Sequence, residues 1–286
     1  MNVERHEFES SQPGTHLVIL GGIHGNETCG PNALRKIISE FQSGQRRLLR
    51  GRCTIFPIAN PRAYNAGTRY IEENLNRVFE VHTNPSSYER HLATEIAPWV
   101  SRADALLDIH SMQSQGDPFV FLNAPTPESQ ELCEALGTDW ILQGWPNVYA
   151  SMPELLACCT QTFADRYKIP NALVECGSHA DPAADGVAYR AILGALTLYE
   201  MIKEGDAPSA RDSRHLRMTD LHLRISEKDH FPKVWKNFEA FQKGEVLATR
   251  ASGEEIRAER NGIMILPSPV SALGAEWFYT GHLLES

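Results

Sequence analysis

Leu17-Val18-Ile19-Leu20-Gly21-Gly22-Ile23-His24-Gly25-Asn26-Glu27 starts as an apolar run with β-branched members. It turns through glycines and then presents an imidazole and a carboxylate three residues apart. Such a run reads as a buried strand, and the glycines mark its turn. His24 and Glu27 therefore stand at a strand exit, where ligand sites collect in α/β sheets, and together they make two thirds of a His/His/carboxylate zinc site. Pro31 to Gln42 carries Leu34, Ile37, Ile38 and Phe41 at helical spacing, with Gly44 as the stop, so the chain opens with a strand-loop-helix unit.

Working outward, the same pattern returns. Cys53 to Ile58 is a strand that runs into Ala59-Asn60-Pro61-Arg62, where the proline breaks it and leaves Arg62 at the exit. Ala105 to His110 is apolar apart from Asp108 until its last residue, and Ala172 to Gly177 carries the carboxylate Glu175. A strand buried on both faces has no reason to end on an ionisable side chain unless that side chain works at the edge of the sheet. Phe119 to Leu122 reads as a further strand. Ser129 to Leu136, Glu154 to Tyr167 and Ala188 to Ile202 read as helices, and Tyr64 to Phe79 reads as a polar loop. Ser86 and Glu89 have capping-box spacing ahead of a helix to about Ser101, whose inner stripe is Leu92, Ile96 and Val100. Polar residues from Glu204 to His215 mark a boundary between a catalytic domain, 1–205, and a smaller β-rich domain, 206–286. The latter has strands near Leu221 to Ile225, Gly244 to Thr249 and Gly262 to Leu266.

The 286 residues, 42% of them hydrophobic, suffice for one large domain and a small one. With 36 acidic against 27 basic residues, the net charge of −9 argues against a nucleic-acid partner held by a broad basic face. Met1 to Gly14 has no apolar centre resembling a secretory signal, and no apolar run reaches the roughly 18 residues of a membrane span. Six cysteines in no repeated spacing suit reduced thiols, so the expectation is a cytoplasmic protein that contacts neither membrane nor nucleic acid.

Two imidazoles and one carboxylate bind zinc and leave a fourth position for water, whose pKa the metal lowers toward about 7. His110 is the expected third ligand beside His24 and Glu27. Glu175 is the unligated carboxylate that suits general base and acid work, and Arg62 a guanidinium for the developing oxyanion. Asn76-Arg77 places an amide beside a planar fork that accepts a carboxylate, and Arg62, Arg69 and Arg77 form a cationic spot on an acidic protein. Asp108, two residues before His110 on the same strand face, can orient that imidazole.

His24-Gly25-Asn26-Glu27, Ala59-Asn60-Pro61-Arg62, Asn74-Leu75-Asn76-Arg77-Val78-Phe79, Asp108-Ile109-His110 and Glu175-Cys176-Gly177 resemble, in order and spacing, the motifs of the aspartoacylase and succinylglutamate desuccinylase family, relatives of the zinc carboxypeptidases. The resemblance covers residues 15 to about 205. It implies a carboxypeptidase-like three-layer α/β/α sandwich with a mixed sheet of about eight strands, followed by a smaller β domain. It also implies one zinc ion per chain on His24, Glu27 and His110, with Glu175 as base and Arg62 polarising the carbonyl. Asn76 and Arg77 would hold the carboxylate of a small anionic N-acyl amino acid that is hydrolysed. Arg166 is the nearest match to a further family arginine for substrate, and Tyr279 to a family tyrosine from the second domain. Asn74 stands where the aspartoacylase branch has an aspartate.

Taken alone, a histidine at a strand end is more often structural than a ligand; the ordered set reverses that reading. Two rivals stay open: a metallocarboxypeptidase acting on short peptides, and a non-catalytic metal-binding or sensing protein on a hydrolase fold. Self-association into a homo-oligomer is left open too, and His179, His215, His222, His230 and His282 receive no role.

Overall fold

A computed structural model describes residues 3–149, 158–203 and 212–284. Its elements, in order, are β1 (His6–Glu9), β2 (His16–Gly21), α1 (Cys29–Ser43), β3 (Arg52–Phe56), α2 (Pro61–Ala66), α3 (Tyr88–Val100), β4 (Ala105–Met112), β5 (Phe119–Phe121), α4 (Pro127–Ala135) and β6 (Trp140–Gln143). There follow α5 (Trp145–Val148), α6 (Thr160–Arg166), β7 (Asn171–Ser178), α7 (Ala184–Leu198), β8 (Arg214–Leu223), β9 (Ala240–Phe241), β10 (Val246–Thr249), β11 (Glu255–Arg257), β12 (Gly262–Ile265) and β13 (Glu276–Leu283).

Neighbouring residues of β2 enter different cores. Leu17 and Ile19 pack with α1, α4 and α7, whereas Val18 and Leu20 pack with α3 and α6. Each of these four side chains is fully buried, and burial of that kind stabilises by about 1.5–3 kcal/mol per residue, enough to fix the strand's register. A strand apolar on both faces belongs inside a sheet with helices on both sides, and that is the three-layer α/β/α arrangement expected. The sheet is mixed, in the order β1-β3-β2-β4-β7-β5-β6-β8-β13-β12-β9, and β10 pairs with β11 separately.

The expected sheet of about eight strands is thus an eleven-stranded one, because β13, β12 and β9 continue the sheet beyond β8. The proposed boundary at 205/206 falls in 204–211, outside the described residues. Of the helix expected over Glu154 to Tyr167, α6 realises Thr160–Arg166; Cys158 and Cys159 precede it outside the helix, and 154–157 lie outside the described residues. β1 occupies a stretch that reads as merely polar, since an edge strand with alternating exposure needs few apolar residues. The loop expected from Tyr64 to Phe79 contains the end of α2 and a 3-10 turn, Leu75–Arg77.

Ser87, rather than Ser86, caps α3, accepting from the Arg90 N–H, and so Glu89 is not a capping-box residue. Fully buried, it accepts from the backbone N–H groups of Ile71 (2.8 Å), Glu72 (3.2 Å) and Glu73 (3.1 Å) and from Asn60 Nδ2 (3.2 Å). One buried carboxylate therefore shapes the loop that carries Arg69 and Asn74. No helix among the described residues is long and apolar enough to cross a membrane.

Candidate metal centre

β3, β2, β4 and β7 are consecutive and parallel, so their carboxyl ends share one edge of the sheet. From β2 the chain goes to β3 on one side and later to β4 on the other. The crevice at these ends is therefore a topological switch point, where open α/β sheets bind ligands. His24 lies three residues past β2, and His110 lies near the end of β4, in register with Glu175 of β7. Gly25 makes the turn possible, because a Cβ there would sit 2.0 Å from the Ala63 carbonyl carbon of α2. The Gly25 N–H also donates to the Arg69 carbonyl (3.2 Å), tying the loop after β2 to the loop that Glu89 shapes.

Ligand atoms of His24, Glu27 and His110, all three buried, lie within 4.8 Å of one another. His24 Nδ1 is 2.8 Å from Glu27 Oε1, His110 Nδ1 is 2.8 Å from Glu27 Oε2, and the two Nδ1 atoms are 3.2 Å apart. The outer nitrogens face acceptors. His24 Nε2 donates to Asn74 Oδ1 (3.0 Å), an oxygen that also accepts from the Asn76 backbone N–H, which fixes the amide's orientation. His110 Nε2 lies 3.0 Å from Asp108 Oδ2, although off the line of a well-formed hydrogen bond. With their outer nitrogens protonated, both imidazoles turn bare Nδ1 lone pairs toward a carboxylate. Three such acceptors can crowd together only around positive charge.

The protonation energetics agree. Burial alone would raise the Glu27 carboxyl, yet the two imidazoles hold it well below the usual range. Burial, helped by the Arg69 charge, drives His24 down to about 4; it would lower His110 too, but Asp108 and Glu27 lift that imidazole well above its ordinary value. A cation is favoured at this point, whether a proton on His110 or a metal ion. The donor set, two nitrogens and a carboxylate with outer partners on each imidazole, fits zinc with an open position. Asp108 is fully buried within β4, a costly placement that its contacts with His110 and Thr160 Oγ1 (2.6 Å) explain.

Glu175 is partly exposed, but its Oε2 is buried with no partner, and burial followed by the like charge of Glu27 pushes its carboxyl up to about 8. The arginine that reaches the cluster is Arg69, whose Nη1 donates to Glu27 Oε1 at 3.1 Å. Arg62 opens α2 as expected of a strand exit, and among the described residues its guanidinium meets the Tyr88 ring, at 4.5 Å. Asn76 is buried and accepts from the Thr160 N–H at the start of α6 (2.9 Å).

Arg77 and Tyr279 do come together, in a second cluster. Arg77 Nη2 donates to Glu276 Oε1 (2.9 Å), Tyr149 OH donates to the same oxygen (2.9 Å), and Tyr149 and Tyr279 share a hydrogen bond of 2.6 Å. Burial would raise Glu276, but Arg77 holds it low. Arg166 joins neither cluster; it pairs with Glu80 at the exposed surface (2.9 Å). Sequence reasoning does not reach Glu276 or Tyr149 and assigns no role to His179, whose Nδ1 lies 2.8 Å from Ser111 Oγ beside the candidate metal ligands. A cavity of about 360 Å³, lined by residues such as Asp220, His222, Phe241 and Arg250, lies among the C-terminal strands and contains none of the ligand residues.

Comparison with known proteins points to one group. Residues 13–163 match the family model of the succinylglutamate desuccinylase/aspartoacylase catalytic domain. The succinylglutamate desuccinylase of Vibrio vulnificus strain CMCP6 is 38% identical over 272 residues, 91% of this chain and 78% of that protein. Its counterpart in strain YJ016 is 24% identical over a span of the same length and coverage. A solved succinylglutamate desuccinylase from Silicibacter sp. TM1040 superimposes with a TM-score of 0.77 at 20% identity. The match covers 98% of this chain and 88% of that one, and at this identity it speaks for the fold.

Proposed function

Since the chain belongs to the succinylglutamate desuccinylase and aspartoacylase family, we propose that it hydrolyses the amide bond of a small anionic N-acyl amino acid, using one zinc ion held by His24, Glu27 and His110. The observation that carries this reading is the meeting of those three donors at 2.8–3.2 Å, their outer nitrogens facing Asn74 and Asp108 and Glu175 in register with His110.

Zinc bound there supplies a Lewis acid and brings the pKa of a water down toward about 7. Glu175, with an unpartnered Oε2 and in register with His110, accepts the attacking water's proton and returns it to the leaving amine. Arg62 shares the negative charge that develops on the carbonyl oxygen, and Arg69, already at Glu27, adds a second positive charge. Arg77, with the Asn76 amide beside it, takes the substrate carboxylate. To do so it exchanges Glu276 for the incoming anion, with Tyr279 and Tyr149 as the neighbouring O–H donors. Arg166 enters no step.

The test strips the protein with a chelator, restores zinc, and assays N-succinyl-glutamate, N-acetyl-aspartate and short peptides side by side. Turnover should require zinc and favour an acyl amino acid. Turnover of peptides alone overturns the deacylase reading, and turnover indifferent to chelation overturns the zinc.

A further inference from the structure

β4 and β7 pair in register at His110 and Glu175 and return to register at Met112 and Ser178. Two steps along β4 therefore match three along β7, so that Cys176 and Gly177 together oppose Ser111. This is a β-bulge, and Gly177 accommodates it with a φ of +112°, a conformation that side chains rarely tolerate. Bulges redirect the residues that follow them, and here the consequence falls on His179. Its N–H donates to the Met112 carbonyl (2.8 Å), and its Nδ1 lies 2.8 Å from Ser111 Oγ. The backbone N–H of Ser111 in turn donates to Glu27 Oε2 at 3.2 Å. The other oxygen, Oε1, accepts from Arg69 and lies 2.8 Å from His24 Nδ1.

We propose that His179 is a positioning residue for the metal centre: by fixing Ser111 at the bulge, it keeps a backbone N–H on Glu27 Oε2 and so holds in place the carboxylate that would bind the ion. Its hydrogen bonds among the described residues run to Ser111 and Met112. Ser111 is 3% exposed and His179 half-buried, so the link is largely shielded from water, a setting in which a hydrogen bond left unmade costs more. Partners of this outer kind are worth about 10- to 100-fold in metal affinity or activity. The inference rests on the zinc reading of the same site.

The experiment measures zinc affinity of the metal-free protein by competition with a chelating indicator, using zinc alone as the probe. His179→Ala should weaken binding by about 10- to 100-fold. Ser111→Ala should cost a similar amount, and the double variant no more than either, because both remove one link. His179→Asn, whose side-chain amide can stand where Nδ1 stood, should recover most of the loss. If His179→Ala fails to fold, Ser111→Ala and His179→Asn still carry the comparison. Zinc held as tightly as in the wild type by the folded alanine variants, additive losses in the double variant, or a fall in turnover at unchanged zinc affinity each overturns the proposal. Wild-type protein that takes up no zinc overturns the metal reading itself, a different result from a variant that binds as the wild type does.

Discussion

Two carboxylates, Glu27 and Glu276, each sit among titratable partners, and the two sites differ in what they lack. Glu276 faces Arg77, a permanent cation, and an O–H donor, Tyr149, so its cluster is complete in charge and in hydrogen bonds. Glu27 faces two imidazoles whose outer nitrogens face Asn74 and Asp108, and its cluster needs a positive charge that, among the described residues, Arg69 at the rim begins to supply. The first kind of site must be opened by a ligand that displaces a partner; the second must be filled. On the proposed function, catalytic power and substrate choice would be separated in one molecule: a cation would complete the one, and an anion would compete for the other.

The contrast predicts unequal consequences for the same chemical change. Glu27→Gln removes the negative charge between the imidazoles and with it the hold on zinc. Metal catalysis is worth several kcal/mol, so turnover should fall by about a thousandfold or more, with zinc content measured in parallel. Unchanged zinc content in Glu27→Gln breaks the account of this cluster. Glu175→Gln should come next, lowering kcat by about 10²- to 10⁴-fold while zinc stays bound, because the group acts on the proton and not on the metal. Equal activity removes Glu175 from the reaction.

At the other cluster the effects should be smaller and appear in KM. Arg77→Ala takes away a charge-assisted contact worth about 1.5–3 kcal/mol, so KM for an anionic substrate should rise about 10- to 100-fold with kcat little changed. Glu276→Gln should act in the opposite direction. The amide still accepts from Tyr149 but leaves the Arg77 charge uncompensated, and KM should fall. If both variants raise KM alike, the pair braces the fold and does not gate the substrate.

How far each cluster can be read from sequence follows from where its residues lie. His24, Glu27, His110 and Glu175 all stand at or near strand ends, and an apolar run that finishes on an ionisable group is visible without knowing the fold. The partners that complete them are less visible. Asp108 shares a face with His110 by simple alternation, but His179 comes into place through an extra residue at Gly177, and no periodic pattern contains a bulge. Glu276 meets Arg77 from β13, which joins the sheet beside β8, and Tyr149 comes to it from the end of α5; such long-range meetings leave no local mark. Glu89 has the spacing of a helix cap yet serves the loop before the helix, since a carboxylate buried beside three free backbone N–H groups gains more there. Arg62 and Arg69 are alike in composition; which of them reaches Glu27 is decided by the Glu89 loop and the close contact at Gly25.

The smallest effect should come from Arg166, the family arginine's nearest match in sequence. Its side chain is 55% exposed and pairs with Glu80, itself 41% exposed. Ion pairs of this kind contribute about 0.2–1 kcal/mol, because water screens them and two long side chains must be ordered. Arg166→Ala should therefore leave kcat/KM within about twofold and shift stability by no more than about 1 kcal/mol, measured by substrate titration and thermal unfolding. A KM increase of tenfold or more would mean that Arg166 leaves Glu80 for the substrate. Two arginines from different parts of the chain would then share the anion, and the contrast between a site to be filled and a site to be opened would extend from the Glu276 cluster to α6.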